Sequence, residues 1–299
     1  MSTILTRWEH LRELTHGPKQ HLKAVADYLK THPAVIYHGD SWFSTPLYPN
    51  LARQSAARVD GLRMVVGKPG ALAAELFGAK AAAQFAARIK SLPFDLVCLS
   101  AGGNDLLGAR LKSLFRTFHA QPLPRITAAN AFDRVLASGA FTRLNERYRS
   151  MLDALQPLDR PQRPLRVVGH TYVPLRQIGQ KGQLTLGNIG LIAILKGDVG
   201  PWLYGPMDRV LKDPAEGKLF ADLLLVQGFK QTVLAPLVTA YAGFFRVADL
   251  AQAQLDSTAD WYDEIHPTEA GFAKCTAVLN AQIRQALPAG KAGKAGKVG

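Results

Sequence analysis

Apolar residues in this chain fall into short unbroken runs, separated by longer stretches where they recur every three or four positions. The run Ala34-Val35-Ile36-Tyr37, closing on His38-Gly39-Asp40, suits a strand buried on both faces, as in parallel sheets. Met64-Val65-Val66 repeats the pattern before Gly67 and Gly70. So do residues 96–99 before Ala101-Gly102-Gly103-Asn104, residues 165–168 before Gly169-His170, and residues 244–247. Between these runs the spacing is helical. Trp8, Leu11 and Leu14 mark a helix in the opening segment to about residue 31. Residues 49–58, the Ala-rich stretch 71–90, and residues 130–155 and 218–242 follow. A last helix starts near Thr268 and lines up Phe272, Cys275, Leu279 and Ile283 on one face. Strands alternating with helices predict an α/β fold with a parallel sheet between helical layers. No repeat or linker interrupts the pattern, so one domain is expected over residues 1–287. Residues 1–31 form an N-terminal helical extension to it. Residues 174–213 form a Gly- and Pro-rich insertion with no assigned elements, and residues 288–299 read as a disordered basic tail.

Composition adds less. Of 299 residues, 47% are hydrophobic and 20% charged, an ordinary globular balance. The net charge of +13 favours weak association with anionic surfaces. No basic run is interleaved with aromatics, so no specific nucleic-acid surface is expected. The two cysteines, Cys98 and Cys275, sit in apolar surroundings without a C-x-x-C partner, which argues against a disulfide framework and a zinc site. The N-terminus is polar and carries no signal-type apolar run. The apolar stretch near residues 233–245 is too short to span a bilayer and contains Pro236, so no transmembrane segment is expected. The default location is cytoplasmic.

Parallel sheets place function in the loops at the carboxyl ends of their strands. Several motifs are missing there: a G-x-S-x-G elbow, a P-loop, H-E-x-x-H and G-x-G-x-x-G. Three segments stand out instead. Gly39-Asp40-Ser41 closes the first strand, Gly103-Asn104-Asp105 closes the third, and Asp263-Glu264-Ile265-His266-Pro267 precedes the last helix. Each has a plainer reading alone. Ser41 suits a helix N-cap, Asn104-Asp105 a turn, and His266-Pro267 a helix start. Their order and placement together point to chemistry. A serine hydroxyl needs a base within hydrogen-bond reach, which His266 supplies. The base needs a third group to fix its tautomer, and Asp263, three residues earlier, is one turn away. Oxyanion donors are available from the Ser41 and Gly70 backbone N–H groups and the Asn104 amide.

The segments HGDSWFS, VVGKPG, AGGND and DEIHPTEAG resemble the four blocks of the SGNH (GDSL-type) hydrolases. The resemblance spans residues 38–271. It implies a flavodoxin-like three-layer αβα sandwich with a five-stranded parallel sheet. It also implies a metal-independent serine esterase working through an acyl-enzyme. The block serine matches Ser41, the asparagine Asn104, and the acid and histidine Asp263 and His266. The glycine matches Gly70, with Gly67 as the alternative because GKPGAL departs from the usual block. Asp260 and Glu264 are the alternative acids.

Around these residues, Trp42 reads first as core packing and His170 and Tyr172 as a hydrogen-bonded loop pair, with lining of the substrate site as the alternative role of all three; His38 reads as structural. The apolar stretch 184–203 is expected to act as a lid or acyl-accepting wall, or to be a buried extra helix. With the basic surface, it favours a lipid-like ester or thioester over an O-acetylated sugar. No motif implies a cofactor or a metal. The competing expectation is an inactive binding module on the same fold.

Overall fold

Ala34, Val35, Ile36 and Tyr37 have no exposed surface. A strand so enclosed has neighbours on both edges and layers on both faces. In the computed structural model, which describes residues 4–45, 49–92, 94–180 and 200–295, this segment is β1 (Ala34–Gly39). It pairs with β2 (Leu62–Gly67) on one side and β3 (Leu96–Ser100) on the other. β4 (Arg166–His170) and β5 (Phe245–Ala248) complete a five-stranded, all-parallel sheet in the order β2-β1-β3-β4-β5. That is the flavodoxin-like order. The chain steps outward from β1 to β2, then returns across β1 to β3. The loops after β1 and β3 therefore diverge and leave a crevice between them at the carboxyl edge.

Helices cover both faces. Ala79–Ile89, Ala140–Leu155 and the segment from 222 to 240 pack together on one side, Leu51–Ala57 and Glu269–Ala286 on the other. Helix Ala140–Leu155 buries Phe141, Leu144, Tyr148, Met151, Leu152 and Leu155. Each such side chain contributes about 1.5–3 kcal/mol by leaving water. Glu269–Ala286 buries Phe272, Cys275, Leu279 and Ile283, the face expected from the spacing. The burial of Cys98 and Cys275 pushes both thiols above their ordinary range.

Several expected helices are divided. The opening segment is two helices, Trp8–Thr15 and Lys19–Thr31, separated at His16-Gly17-Pro18 because proline cannot donate into a helical ladder. The Ala-rich stretch breaks at Gly78, and residues 128–155 break at Gly139. The helical stretch expected over 218–242 runs instead from residue 214 to 240, with wide π-type turns over Asp222–Leu234. Its Ala215–Ala240 portion, 26 residues that include an 18-residue window of mean hydropathy 1.3, is long and apolar enough to cross a membrane by length and composition. It buries Leu224, Leu225, Phe229, Val233 and Leu237 in the core.

The tail differs from expectation as far as Ala295. Residues Ala289–Ala292 form a helical turn, and the Lys294 carbonyl accepts the Asp60 N–H at 2.7 Å. Lys291 reaches the largely buried Asp95 at 2.8 Å, Lys294 contacts Asp60, and Ala295 is buried. Glycine and lysine composition suggested disorder, but two specific carboxylates draw these lysines in. Of the 174–213 insertion, the expected lid or wall over 184–203 lies mostly outside the described residues. Its return leg includes the short helix Tyr204–Met207.

Candidate active site

β1 delivers Ser41 to the crevice. At Gly39 the strand runs so close to β3 that a Cβ would stand 2.5 Å from the Ser100 carbonyl oxygen, so only glycine fits. Asp40 then caps a single helical turn, Ser41–Ser44, accepting the Trp42 N–H at 3.1 Å. Its carboxylate also accepts the Ser100 hydroxyl at 2.9 Å and the Tyr172 hydroxyl at 3.3 Å. Burial raises the Asp40 carboxyl, and these hydrogen bonds pull against that rise. Ser41 N–H lies in the first turn, where the helical ladder makes no use of it.

His266 comes from the loop before helix Glu269–Ala286, which Thr268 caps through the Gly271 N–H. Its Nε2 lies 3.1 Å from Ser41 Oγ, and its Nδ1 lies 2.8 Å from Asp263 Oδ2. Asp263 Oδ1 accepts the backbone N–H of Ile265 at 2.8 Å and of His266 at 2.7 Å. This tight turn makes the three-residue spacing work. Ser41, Asp263 and His266 are 5%, 1% and 2% exposed, so the chain of contacts is almost dry. Burial disfavours a charged His266 ring, but the Asp263 charge and hydrogen bond, with help from Asp40, outweigh it and hold the ring above its ordinary value.

The other two candidate acids lie elsewhere. Asp260 accepts the Ser257 N–H and pairs with Lys274 at 2.8 Å. Glu264, with no exposed surface, accepts backbone N–H groups from Gly179, Leu203 and Tyr204.

Asn104 follows β3 in the turn Gly103–Leu106. It shares with Ser41 a small pocket, whose apolar wall comprises Trp42, Leu107, Leu175, Leu225 and Ile265. The Asn104 amide donates to the Ala71 carbonyl at 3.0 Å, and Asp105 accepts the Ala73 N–H at 2.8 Å. Burial pushes the Asp105 carboxyl up to about 6. The glycine block thus reaches the site through its downstream residues. Gly70 itself has φ +72 and follows Pro69 in a turn closed by the Ala71 N–H on the Lys68 carbonyl. A Pro-Gly turn of the type II kind requires glycine there for conformation alone. Neither Gly70 nor Gly67 is part of the pocket wall.

Of the candidate lining residues, Trp42 and Tyr172 border the pocket, and Tyr172 also accepts the Gly103 N–H at 2.8 Å. His170 is not part of the wall. Its ring stacks on Trp42 at 5.7 Å, and burial lowers it to about 4, so it is a neutral packing element. His38 is partly buried, stacked on Phe85, and desolvation of its ring lowers it to about 4. Sequence reasoning missed Ser100 and Tyr148. Ser100 braces Asp40, and Tyr148 both accepts the Ala101 N–H and donates to the Ala101 carbonyl. Trp202, which falls within the stretch expected as a lid or wall but was not singled out in it, stands perpendicular to the His266 ring at 5.4 Å. No local motif marks any of them. Among the described residues, no three His, Cys, Asp or Glu side chains are grouped as a metal site requires.

No protein-family model matches the chain, and no curated protein matches it in sequence. By structure it is similar to a lipase from a goat rumen metagenome, with a TM-score of 0.49 and 13% identity, over 83% of this chain and 96% of that one. It is also similar to an extracellular lipase from Streptomyces rimosus, with a TM-score of 0.48 and 18% identity, over 83% and 99% of the two chains. A mutant acetyl esterase solved with an acetate ion gives a TM-score of 0.37 and 14% identity, over 85% and 97%.

Proposed function

We propose that this protein is a metal-independent serine hydrolase of the SGNH type, cleaving carboxylic esters or thioesters through an acyl-enzyme. The observation that carries this reading is the dry relay Ser41 Oγ–His266 Nε2, His266 Nδ1–Asp263 Oδ2, at 3.1 and 2.8 Å. In this reading Ser41 Oγ attacks the acyl carbon while His266 Nε2 takes its proton. Asp263 holds the ring in the Nδ1–H tautomer and stabilises the imidazolium. The oxyanion is met by the Ser41 N–H and the Asn104 amide. His266 then returns its proton to the leaving oxygen or sulfur. Water, activated by the same base, releases the acid and restores Ser41.

The apolar wall from Trp42, Leu107, Leu175, Leu225 and Ile265 favours an apolar acyl chain over an acetyl group on a sugar. Each methylene buried there contributes about 0.8 kcal/mol, or about fourfold in kcat/KM. A p-nitrophenyl ester series is expected to rise by that step from acetyl until the pocket is full. A maximum at acetyl would refute the acyl preference.

The direct test of the mechanism is intact-mass labelling with a fluorophosphonate. One adduct is expected on the folded wild type and none on Ser41→Ala. An unlabelled, folded wild type would favour the inactive binding module instead.

A further inference from the structure

Glu264 lies within the segment that carries Asp263 and His266, yet its carboxylate turns to different partners. Oε1 accepts the N–H groups of Gly179 and Tyr204, both at 2.9 Å, and Oε2 accepts that of Leu203 at 2.7 Å. The Glu264 N–H donates to the Gln180 carbonyl at 3.1 Å. A carboxylate with no exposed surface is costly to bury, and here three backbone donors stand in for a cation. Leu203, one of those donors, is itself fully buried.

The residue before it connects this clamp to the chemistry. The Trp202 ring stands edge-on to the His266 ring at 5.4 Å and 90°. The Trp202 carbonyl accepts the Gly108 N–H at 2.8 Å, just past the turn that holds Asn104. Residues 202–204 therefore touch the loop of the base through an indole and a carboxylate, and the loop of the asparagine through a backbone bond.

We propose that Glu264 is a positioning residue: by gripping the backbone at Leu203 and Tyr204 it keeps Trp202 on His266, which aligns the base with Ser41 and keeps water from the Asp263–His266 pair. The proposal rests on the hydrolase reading for its kinetic consequence, but the geometry it asserts is independent of turnover. The groups facing His266 are Asp263, Asp40, Ser41 and the Trp202 ring. Glu264→Gln replaces one acceptor oxygen with an amide that meets a backbone N–H, which breaks the grip. A loosened Trp202 lets water reach the His266–Asp263 pair. The ring, now held above its ordinary value, then moves back toward that value.

The experiment is a comparison of wild type, Glu264→Gln, Trp202→Ala and the double variant. The His266 titration is followed by NMR, and p-nitrophenyl butyrate kinetics are measured in parallel. Both single variants are expected to lower the His266 titration midpoint and to reduce kcat by about tenfold to a hundredfold, with KM little changed. The double variant is expected to be no worse than the poorer single, because Glu264 acts through Trp202. Should Glu264→Gln fail to fold, Trp202→Ala and Trp202→Phe decide alone, with the phenylalanine expected to restore most of the midpoint. An unchanged midpoint in Glu264→Gln or Trp202→Ala, or fully additive losses in the double variant, would overturn the proposal. The midpoint can be read whether or not the wild type hydrolyses the ester, so failure of the hydrolase reading leaves this result distinct.

Discussion

Replacement of His266 by alanine is expected to lower kcat for ester hydrolysis by a factor on the order of 10⁶, with KM nearly unchanged. The size follows from the arrangement. Among the described residues, Ser41 Oγ has a single titratable neighbour within hydrogen-bond distance, His266 Nε2 at 3.1 Å. Without it the hydroxyl must lose its proton to water in a site where water is scarce, since Ser41 is only 5% exposed. His266→Ala and Ser41→Ala should each cost about as much as the two together, because both act in one step. Asp40 illustrates why no other group substitutes. Its carboxylate is committed to Trp42, Ser100 and Tyr172, and burial raises it toward the neutral form. A combined Ser41→Ala/His266→Ala variant with a loss equal to the product of the single losses would contradict a shared step. Single-turnover kinetics on the three variants measure this directly.

Asp263→Asn is expected to lower kcat by about 10⁴-fold and to displace the acid limb of the pH profile. The asparagine oxygen can still accept the N–H groups of Ile265 and His266, so the turn survives. Its amide then faces His266 Nδ1 and drives the ring proton to Nε2, the wrong tautomer for accepting from Ser41. In the wild type, burial works against a charged His266, but the Asp263 charge and hydrogen bond win and hold it above 6.5. Without that charge the burial penalty, the largest contribution, is opposed only by Asp40, the smallest, so the midpoint falls. The residual activity of Asp263→Asn should therefore persist to lower pH than that of the wild type, at a much lower plateau.

Stability should change in step. A histidine raised in the folded state stabilises fully below its unfolded value, and that stabilisation fades as pH rises through the folded value. The Tm deficit of Asp263→Asn should accordingly be larger at about pH 5 than at about pH 9. Thermal melts across this range, read beside the activity profile, check both signs. A Tm deficit that grows with pH would contradict the charge arrangement around His266.

Much of this was legible in the chain itself. The runs at residues 34–37, 64–66, 96–99, 165–168 and 244–247 each became a strand, because an unbroken apolar run needs burial on both faces and a parallel sheet provides it. Ser41, Asn104 and the Asp263–His266 pair were visible because local placement binds them: two strand-end loops and a three-residue spacing before the last helix. The choice of Asp263 over Asp260 and Glu264 was open in sequence, since all three carboxylates lie within a few residues of His266. Only folding separated them. Asp263 turned onto the ring, Asp260 onto Lys274, and Glu264 onto the backbone of a segment about sixty residues away.

The same distance hid other features. Tyr148, Ser100 and Trp202 reach the site from three different elements, with no spacing that relates them to it. His170, which follows a strand, was open to a structural role or a place in the wall. The packing of Trp42 over it made it a neutral support. The tail looked disordered because its composition carries no core, but Asp95 and Asp60, contributed by the distant β1–β3 region, give its lysines partners. Sequence alone determined what local periodicity and spacing can encode: the strands, the helical faces, and a serine, an asparagine and a histidine at loop ends. The tertiary structure decided which carboxylate serves the histidine, which aromatics stand beside it and what anchors the tail. Those are contacts between groups far apart in the chain, set by packing rather than by neighbouring residues.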